Sequence, residues 1–222
     1  MLYIVTALYI EAKPLISLFN LKKDNTYTKF QVFSNENIKL IISGTGKIKS
    51  ATALTYLISN KDIKENEYII NIGFIASLNN NSQLGDIVYI SKIQNAYSDT
   101  TFYPEIIYKH NFLEGSLTTF DKIIDNKIEN IEYIDMEAYG FFQTASIFFK
   151  KDKIIVLKII SDILKENVKD RILFDFEDDN LFNESYKKIY DFLLKFVNIP
   201  TDSRNNFNNN EQDLIKKVLE NL

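Results

Sequence analysis

The sequence has no cysteine among its 222 residues, so disulfide bonds, thiolate metal ligands and cysteine nucleophiles are all excluded. Its single histidine, His110, cannot supply a multi-histidine metal site. A basic excess is lacking too, since 26 Lys and Arg against 30 Asp and Glu give a net charge of −4. Such a balance does not suggest nucleic-acid binding or a basic membrane face. We predict no metal, no cofactor and no nucleic-acid partner.

Long apolar runs are also lacking. No stretch approaches the roughly 20 apolar residues that a membrane helix needs. Residues 1–5 are apolar and have no basic leader, which is typical of a first strand and not of a signal peptide. We therefore predict a cytoplasmic protein with no membrane partner.

The length and composition that remain are those of an ordinary globular protein. Hydrophobic residues make up 45% and charged residues 25% of a chain long enough for one full-sized core. Residues 201–210 include five asparagines and have the composition of a linker, and residues 212–222 are typical of a short charged helix. We predict one domain over residues 1–200, followed by this linker and helix in 201–222.

Apolar patterns of two periods alternate along the chain. Segments typical of strands alternate with segments of helical spacing, which favours an α/β fold with a largely parallel sheet. The region 99–114 has weak periodicity and is predicted as a loop, and 115–128 is ambiguous. The predicted strands are 2–8, 68–73, 84–90 and 154–162, with a hairpin of 29–34 and 37–43. The predicted helices are 11–19, with Pro14 in its first turn, 51–58, 136–145 and 181–197.

One strand ends in polar residues. The run 154–160 is nearly all apolar and rich in β-branched residues, so we expect it to be buried on both faces. Ser161 and Asp162 follow at its carboxyl end, the edge of an α/β sheet where ligands bind. Asp162 could equally cap a turn at this position.

Two further acids stand where elements begin. Glu11 lies where a strand passes into a helix, and Glu137 opens a helix that is apolar almost all round. Each could simply be a first-turn acid that complements the helix dipole. The turn 43–47 (Ser-Gly-Thr-Gly-Lys) could present backbone N–H groups to a ligand. It has Lys49 in place of the third glycine of a dinucleotide fingerprint, and it lacks P-loop spacing.

Together these motifs resemble the nucleoside phosphorylase superfamily, most closely the 5′-methylthioadenosine/S-adenosylhomocysteine nucleosidases, over residues 1–197. The motifs that carry the resemblance are Glu11 after the first strand, Ser43–Lys47, Asn71–Gly73, Leu84–Val88, Asp135–Ala138 and Ile160–Asp162. The resemblance implies a three-layer αβα sandwich with a mixed, largely parallel central sheet. It also implies a homodimeric hydrolase that acts on purine nucleosides or thionucleosides.

The resemblance also implies roles for individual residues. Asp162 matches the acid that protonates the purine N7, with Ser161 as its support, and Glu11 matches the residue that orients and deprotonates the attacking water. Glu137 matches the ligand of the ribose hydroxyls. An acid and a base on opposite sides suit the oxocarbenium-like state of N-glycosidic cleavage. The remaining expected substrate contacts are Met136, Gly73, Phe74, Ile75, Ala76, Gly44 and Lys158.

The chain departs from the family at several positions. Phe74 and Ile75 stand where relatives carry small residues, so we expect a narrower sugar site. Lys158 replaces an arginine, which keeps the charge and loses the bidentate fork. The interval 86–135 is shorter than in those relatives, so part of the purine-stacking wall is expected to be replaced. The candidate replacements are Tyr97, Phe102 and Phe120.

Two other functions remain open. A phosphorylase would need groups that bind inorganic phosphate, and both arginines, Arg171 and Arg204, lie outside the matched motifs. A degenerate relative would bind a nucleoside without cleaving it, which the bulky Phe74 and Ile75 favour and the retained acids oppose. For the homodimer, we expect the aromatic stretch 97–103 to lie near the partner.

Overall fold

The computed structural model describes residues 1–79, 81–124, 128–164, 172–173 and 182–197. Among these residues, no helix is long and apolar enough to cross a membrane. The predicted linker and helix in 201–222 lie outside the described residues, as do Arg171, Arg204 and most of 163–179.

Strand and helical segments alternate before residue 68 and again after residue 135, as the sequence predicts, whereas the described part of residues 68–135 forms five successive strands with no helix between them. The strands are β1 (Leu2–Thr6), β2 (Lys22–Lys23), β3 (Gln31–Ser34), β4 (Ile38–Ile42), β5 (Tyr68–Ser77), β6 (Ile87–Asn95), β7 (Thr101–Phe102), β8 (Leu113–Thr119), β9 (Tyr133–Asp135), β10 (Ile154–Ile163) and β11 (Ile172–Leu173). The helices are α1 (Tyr9–Leu18), α2 (Lys47–Ile58), α3 (Ala138–Phe148) and α4 (Asn183–Leu193).

The strands join in one mixed sheet. Its longest pairings, β5 with β10 and β6 with β8, are parallel, and β1 lies parallel between β4 and β5. The predicted hairpin is confirmed as the antiparallel pair β3 and β4. Strands β5, β10, β6, β8 and β9 each pair with the next, and β9 pairs back to β5. The sheet is therefore closed over part of its width, and the carboxyl ends of β5 and β10 meet at one edge.

Strand β10 is buried on both faces, as predicted. Ile154, Val156 and Ile160 belong to an apolar cluster that also contains residues of α2 and α3. Ile155, Leu157 and Ile159 belong to a second cluster, which contains residues of α1 and α4. Side chains that alternate along a strand point to opposite faces, so each face of β10 contributes to one cluster. Lys158 is the one polar residue in the run 154–160. Its buried side chain lies between Val156 and Ile160, on the face that contributes to the first cluster.

The structure corrects several element bounds. Helix α1 begins at Tyr9, so Pro14 lies inside the helix and not in its first turn. The predicted strand 68–73 continues through Phe74, Ile75 and Ala76, which pair with β10. Part of the predicted loop 99–114 and of the ambiguous region 115–128 forms β7 and β8. Pairing of β8 with β6 and β9 fixes a strand that weak local periodicity does not reveal.

Candidate active site

A cavity of about 410 Å³ lies beside the carboxyl ends of β1, β5, β9 and β10. Three of its lining residues are the acids that the sequence singles out, Glu11, Glu137 and Asp162. The full lining consists of Ala7, Leu8, Glu11, Thr45, Phe74, Ile75, Ala76, Lys122, Ile123, Ile124, Ile134, Asp135, Met136, Glu137, Ser161 and Asp162. Elements far apart in the chain therefore bring acids and apolar groups together around one space.

Glu11 is held by the backbone on both carboxylate oxygens. Its Oε2 accepts hydrogen bonds from the N–H groups of Ala7 and Leu8, at 2.7 and 2.8 Å. Its Oε1 accepts one from the N–H of Phe74 at 2.9 Å. A side chain at position 73 would crowd this carboxylate, since a Cβ there would lie 2.9 Å from Oε1, and Gly73 leaves the space open.

Burial raises the pKa of Glu11 above its ordinary value, because the charged form loses its hydration. The three backbone hydrogen bonds and the charge of Lys158 oppose this rise. Glu11 also accepts from the N–H of Leu8, the residue that precedes α1. Glu11 therefore stabilises the start of α1 and also lines the cavity, so both interpretations of this residue apply.

Glu137 does not cap the helix that follows it. Its Oε1 accepts a hydrogen bond from the N–H of Gly46 at 2.8 Å, in the glycine turn before α2. Gly46 has a φ of 108°, a conformation that favours glycine and aims this N–H at the acid. Burial, and after it the charge of Asp135, raises the pKa of Glu137 to about 7.

Asp135 and Lys158 form a buried ion pair that the sequence does not predict. Lys158 Nζ lies 3.0 Å from Asp135 Oδ2, and the two side chains are 1% and 0% exposed. Asp135 also accepts from Thr119 Oγ1 and from the N–H of Ala138, both at 2.7 Å, so it is Asp135 that caps α3. A lysine within an apolar, doubly buried run needs a counter-charge, and that requirement is the signal that could have led to this pair.

The pKa of Lys158 is raised although burial acts to lower it. The charges of Asp135, Glu137 and Glu11 together outweigh the loss of hydration. Lys158 is therefore an ammonium group surrounded by carboxylates beside the cavity lining.

Asp162 reaches the cavity through an irregularity in β10. Ile160 pairs with Ile75 of β5, but Asp162 pairs with Ala76, so Ser161 is an extra residue in the register. In a regular strand Asp162 would share the face of Ile160, and this bulge turns it to the opposite face. The Ser161 hydroxyl donates a hydrogen bond to Asp162 Oδ2 at 2.7 Å.

Most of the predicted site residues line the cavity, and three do not. The lining includes Glu11, Phe74, Ile75, Ala76, Met136, Glu137, Ser161 and Asp162. Gly44, Gly73 and Lys158 are not part of it. Gly44 donates its N–H to the carbonyl of Ala7, Gly73 lies against Glu11, and Lys158 pairs with Asp135.

One side of the cavity is built by residues that sequence reasoning missed. Lys122, Ile123 and Ile124 line it, in the segment that follows β8. None of the three predicted aromatic replacements is in the lining: Phe102 packs on Tyr139 and Phe142, Phe120 is buried in a separate apolar cluster, and the exposed Tyr97 contacts Phe120. The two adjacent isoleucines in a polar segment are the sequence signal for this wall.

Phe74 lines the cavity, at the position where the sequence analysis expects a bulky residue to narrow it. Its ring is half-buried and lies 5.0 Å from the ring of Phe182, at the start of α4. Ile75 is 2% exposed and belongs mainly to the apolar core.

By sequence, no family model and no curated protein matches the chain. Solved structures do match it. The MTAN of Chlamydia trachomatis is 20% identical with a TM-score of 0.67, and the match covers 88% of this chain and 98% of that one. The 5′-methylthioadenosine/S-adenosylhomocysteine nucleosidase of Neisseria meningitidis is 16% identical with a TM-score of 0.66, covering 88% and 97%. An Asp-to-Asn mutant of the Helicobacter pylori MTAN is 15% identical with a TM-score of 0.67, covering 88% and 96%.

The chain therefore has an α/β fold with a mixed sheet, which it shares with these solved structures. More particularly, the fold is that of the 5′-methylthioadenosine/S-adenosylhomocysteine nucleosidases, which confirms the predicted resemblance at the level of structure.

Proposed function

We propose that the chain is a hydrolase that cleaves the N-glycosidic bond of a purine nucleoside or thionucleoside of the 5′-methylthioadenosine/S-adenosylhomocysteine type. The observation that carries this proposal is the convergence of Glu11, Glu137 and Asp162 on one cavity. Its volume, about 410 Å³, lies in the range of small-molecule sites. Among the structural neighbours, a C. trachomatis MTAN variant is bound to MTA, and the N. meningitidis enzyme is in complex with methylthio-immucillin-A.

In this proposal Asp162 is the general acid. It protonates N7 of the purine, which makes the base a better leaving group. The Ser161 hydroxyl, which donates to Asp162 Oδ2, fixes the orientation of the carboxyl group. The bulge at Ser161 supports this role, because it turns Asp162 away from the face of β10 on which Ile160 lies.

Glu11 acts as the general base on the attacking water. A carboxylate offers about four acceptor positions, and three backbone N–H groups occupy three of them. These bonds hold the group rigid and favour its charged form, while capacity remains for a hydrogen bond from water. Rigid placement of the base reduces the ordering that the reaction requires.

Glu137 binds the ribose hydroxyls, and Met136 packs against the sugar. Both residues line the cavity next to Asp135. A carboxylate beside the ribose also stabilises the positive charge that develops on the sugar as the glycosidic bond breaks. This role requires ionised Glu137, so its pKa of about 7 links binding to pH near neutrality.

The proposal extends to architecture and assembly. We take the fold to be a three-layer αβα sandwich, with α1 and α4 in one apolar cluster and α2 and α3 in the other. We take the assembly to be a homodimer, supported by the exposed aromatic side chains of Tyr97 and Tyr103, which are 55% and 65% exposed. The cytoplasmic location stays a prediction from the sequence.

Free base released from a panel of adenosine and 5′-thioadenosine nucleosides tests the function. We expect release in phosphate-free buffer at a rate that added phosphate does not change, with Asp162→Asn as the inactive control. Release that depends on phosphate would instead identify a phosphorylase. Nucleoside binding without release would identify the non-catalytic relative.

A further inference from the structure

Four charged groups from separate elements meet beside the cavity. Glu11 comes from α1, Asp135 from the end of β9, Glu137 from the start of α3 and Lys158 from the middle of β10. Lys158 and Asp135 are in contact at 3.0 Å and are almost completely buried. Glu11 and Glu137 are 4% and 7% exposed and line the cavity. Three carboxyl groups and one ammonium group are therefore buried close together, and the charges of all three carboxyl groups act on Lys158.

We propose that the buried Asp135–Lys158 ion pair is a positioning element that fixes how much negative charge Glu137 and Glu11 present to the cavity. The consequence for activity rests on the proposed nucleosidase function. The charge distribution itself does not depend on it.

The geometry explains why the pair has this influence. Asp135 uses one oxygen for Thr119, and the other accepts from Ala138 and faces Lys158, so it holds the ammonium group in place. From there, the charge of Lys158 favours the ionised forms of both Glu11 and Glu137. The charge of Asp135 disfavours ionised Glu137. The two members of the pair therefore act on Glu137 in opposite directions.

Other titratable groups near the cluster also have to be considered. Asp162 and Lys122 line the same cavity, and Tyr186 of α4 is a buried neighbour whose pKa is raised by burial and by the charge of Glu11. These three groups are present in all the Asp135 and Lys158 variants, so a difference between the variants is assigned to the ion pair. Because the cluster shares its protons, its titration belongs to the group as a whole.

The test compares four proteins: wild type, Asp135→Asn, Lys158→Met and the double variant. The measurement is kcat/KM for base release against pH, whose acidic limb reports the groups that must be ionised in the free enzyme, here Glu137 and Glu11. Lys158→Met should move this limb to higher pH by about one unit or more, and Asp135→Asn should move it to lower pH. In the double variant the two shifts should partly cancel.

The variant Lys153→Met is the matched control, since Lys153 pairs with Asp152 at the same distance of 3.0 Å but in a partly exposed position. We expect its acidic limb to coincide with that of wild type. Should Lys158→Met fail to fold, Asp135→Asn and the double variant carry the test, because the double variant leaves no unpaired buried ammonium or aspartate.

A second readout separates this inference from the proposed function. Carbon-13 NMR titration of the glutamate carboxyls, assigned with Glu11→Gln and Glu137→Gln, needs no turnover. Opposite shifts for Asp135→Asn and Lys158→Met support the inference even if wild type releases no base. Shifts in the same direction, or none beyond the Lys153→Met control, overturn it even if wild type is a nucleosidase.

Discussion

Strand β10 has two lysine–aspartate pairs of equal length, one just before the strand and one at its middle, in very different surroundings. Just before the strand, Lys153 Nζ lies 3.0 Å from Asp152 Oδ2, and the side chains are 19% and 33% exposed. Five residues on, Lys158 Nζ lies 3.0 Å from Asp135 Oδ2, with exposures of 1% and 0%. Identical chemistry and distance are thus combined with opposite degrees of burial.

The difference shows that burial, and not contact distance, decides what an ion pair can do. Near water, the pair gains little because solvent screens both charges. In the interior, each partner has lost its hydration, so removal of one leaves the other uncompensated. The buried pair also lies beside Glu11 and Glu137, whereas the pair at Lys153 contacts the phenol of Tyr68. The charges of the buried pair therefore act on the acids of the candidate site.

The largest effect is expected at the cavity end, in Asp162→Asn. The substitution keeps the shape of the side chain and removes the proton that the general acid transfers. We expect base release to slow by roughly 10²–10⁴-fold while nucleoside affinity changes little. Single-turnover rates and equilibrium binding measure the two quantities separately. An undiminished rate would show that the cavity end of β10 has no chemical role.

Next in size is the stability cost of Lys158→Met. The substitution leaves Asp135 buried without its cation, which typically costs about 3–5 kcal/mol. Denaturant unfolding at pH 7.5 should show a midpoint well below that of wild type. A loss in the free energy of unfolding under about 1 kcal/mol would mean that the buried pair stabilises the fold no more than the exposed pair does.

The pH dependence of stability tests Glu137. Its folded-state pKa of about 7 exceeds its ordinary value of 4.5, so the native state holds the proton more tightly than the unfolded state. The contribution of Glu137 to stability is therefore full below about pH 4.5 and is lost as pH rises to about 7, by roughly 3 kcal/mol.

Glu137→Gln resembles the protonated form and should remove this loss. We expect the variant to gain stability relative to wild type at pH 8 and to match it at pH 4. Free energies of unfolding at several pH values provide the measurement. An equal difference at both values would mean that Glu137 has an ordinary pKa.

The smallest effect is expected from Lys153→Met at the other end of the strand. Its ion pair is partly exposed, so the loss should be about 0–1 kcal/mol. Base release should be unchanged, because none of its described contacts reaches the cavity. A loss comparable to that of Lys158→Met would show that burial does not distinguish the two pairs.

The sequence predicted the parts of the site that depend on local pattern. A β-branched run that ends in Ser161 and Asp162 shows both a buried strand and an acid at its carboxyl edge. Glu11 and Glu137 likewise stand at visible boundaries between elements. Such signals lie within a few residues of one another, so they can be recognised without knowledge of the fold.

The parts that the sequence did not reveal depend on contacts between distant segments. Lys158 and Asp135 lie on strands that do not pair directly, so nothing in either segment identifies its partner. Ile123 and Ile124 become a cavity wall only because β8 places them there. The start of α1 at Tyr9 similarly depends on Glu11 folding back onto the backbone before it.

The hydrogen bond from Gly46 to Glu137 joins residues 91 positions apart in the sequence. The N–H of Gly46 therefore depends on the charge of the Glu137 carboxyl group and on whether a ligand binds that group. Exchange of that amide with deuterium should slow when Glu137 is ionised and quicken when a ligand draws the carboxylate away. The glycine turn is thus a natural reporter, through which ligand binding can be followed by NMR without any label on the ligand.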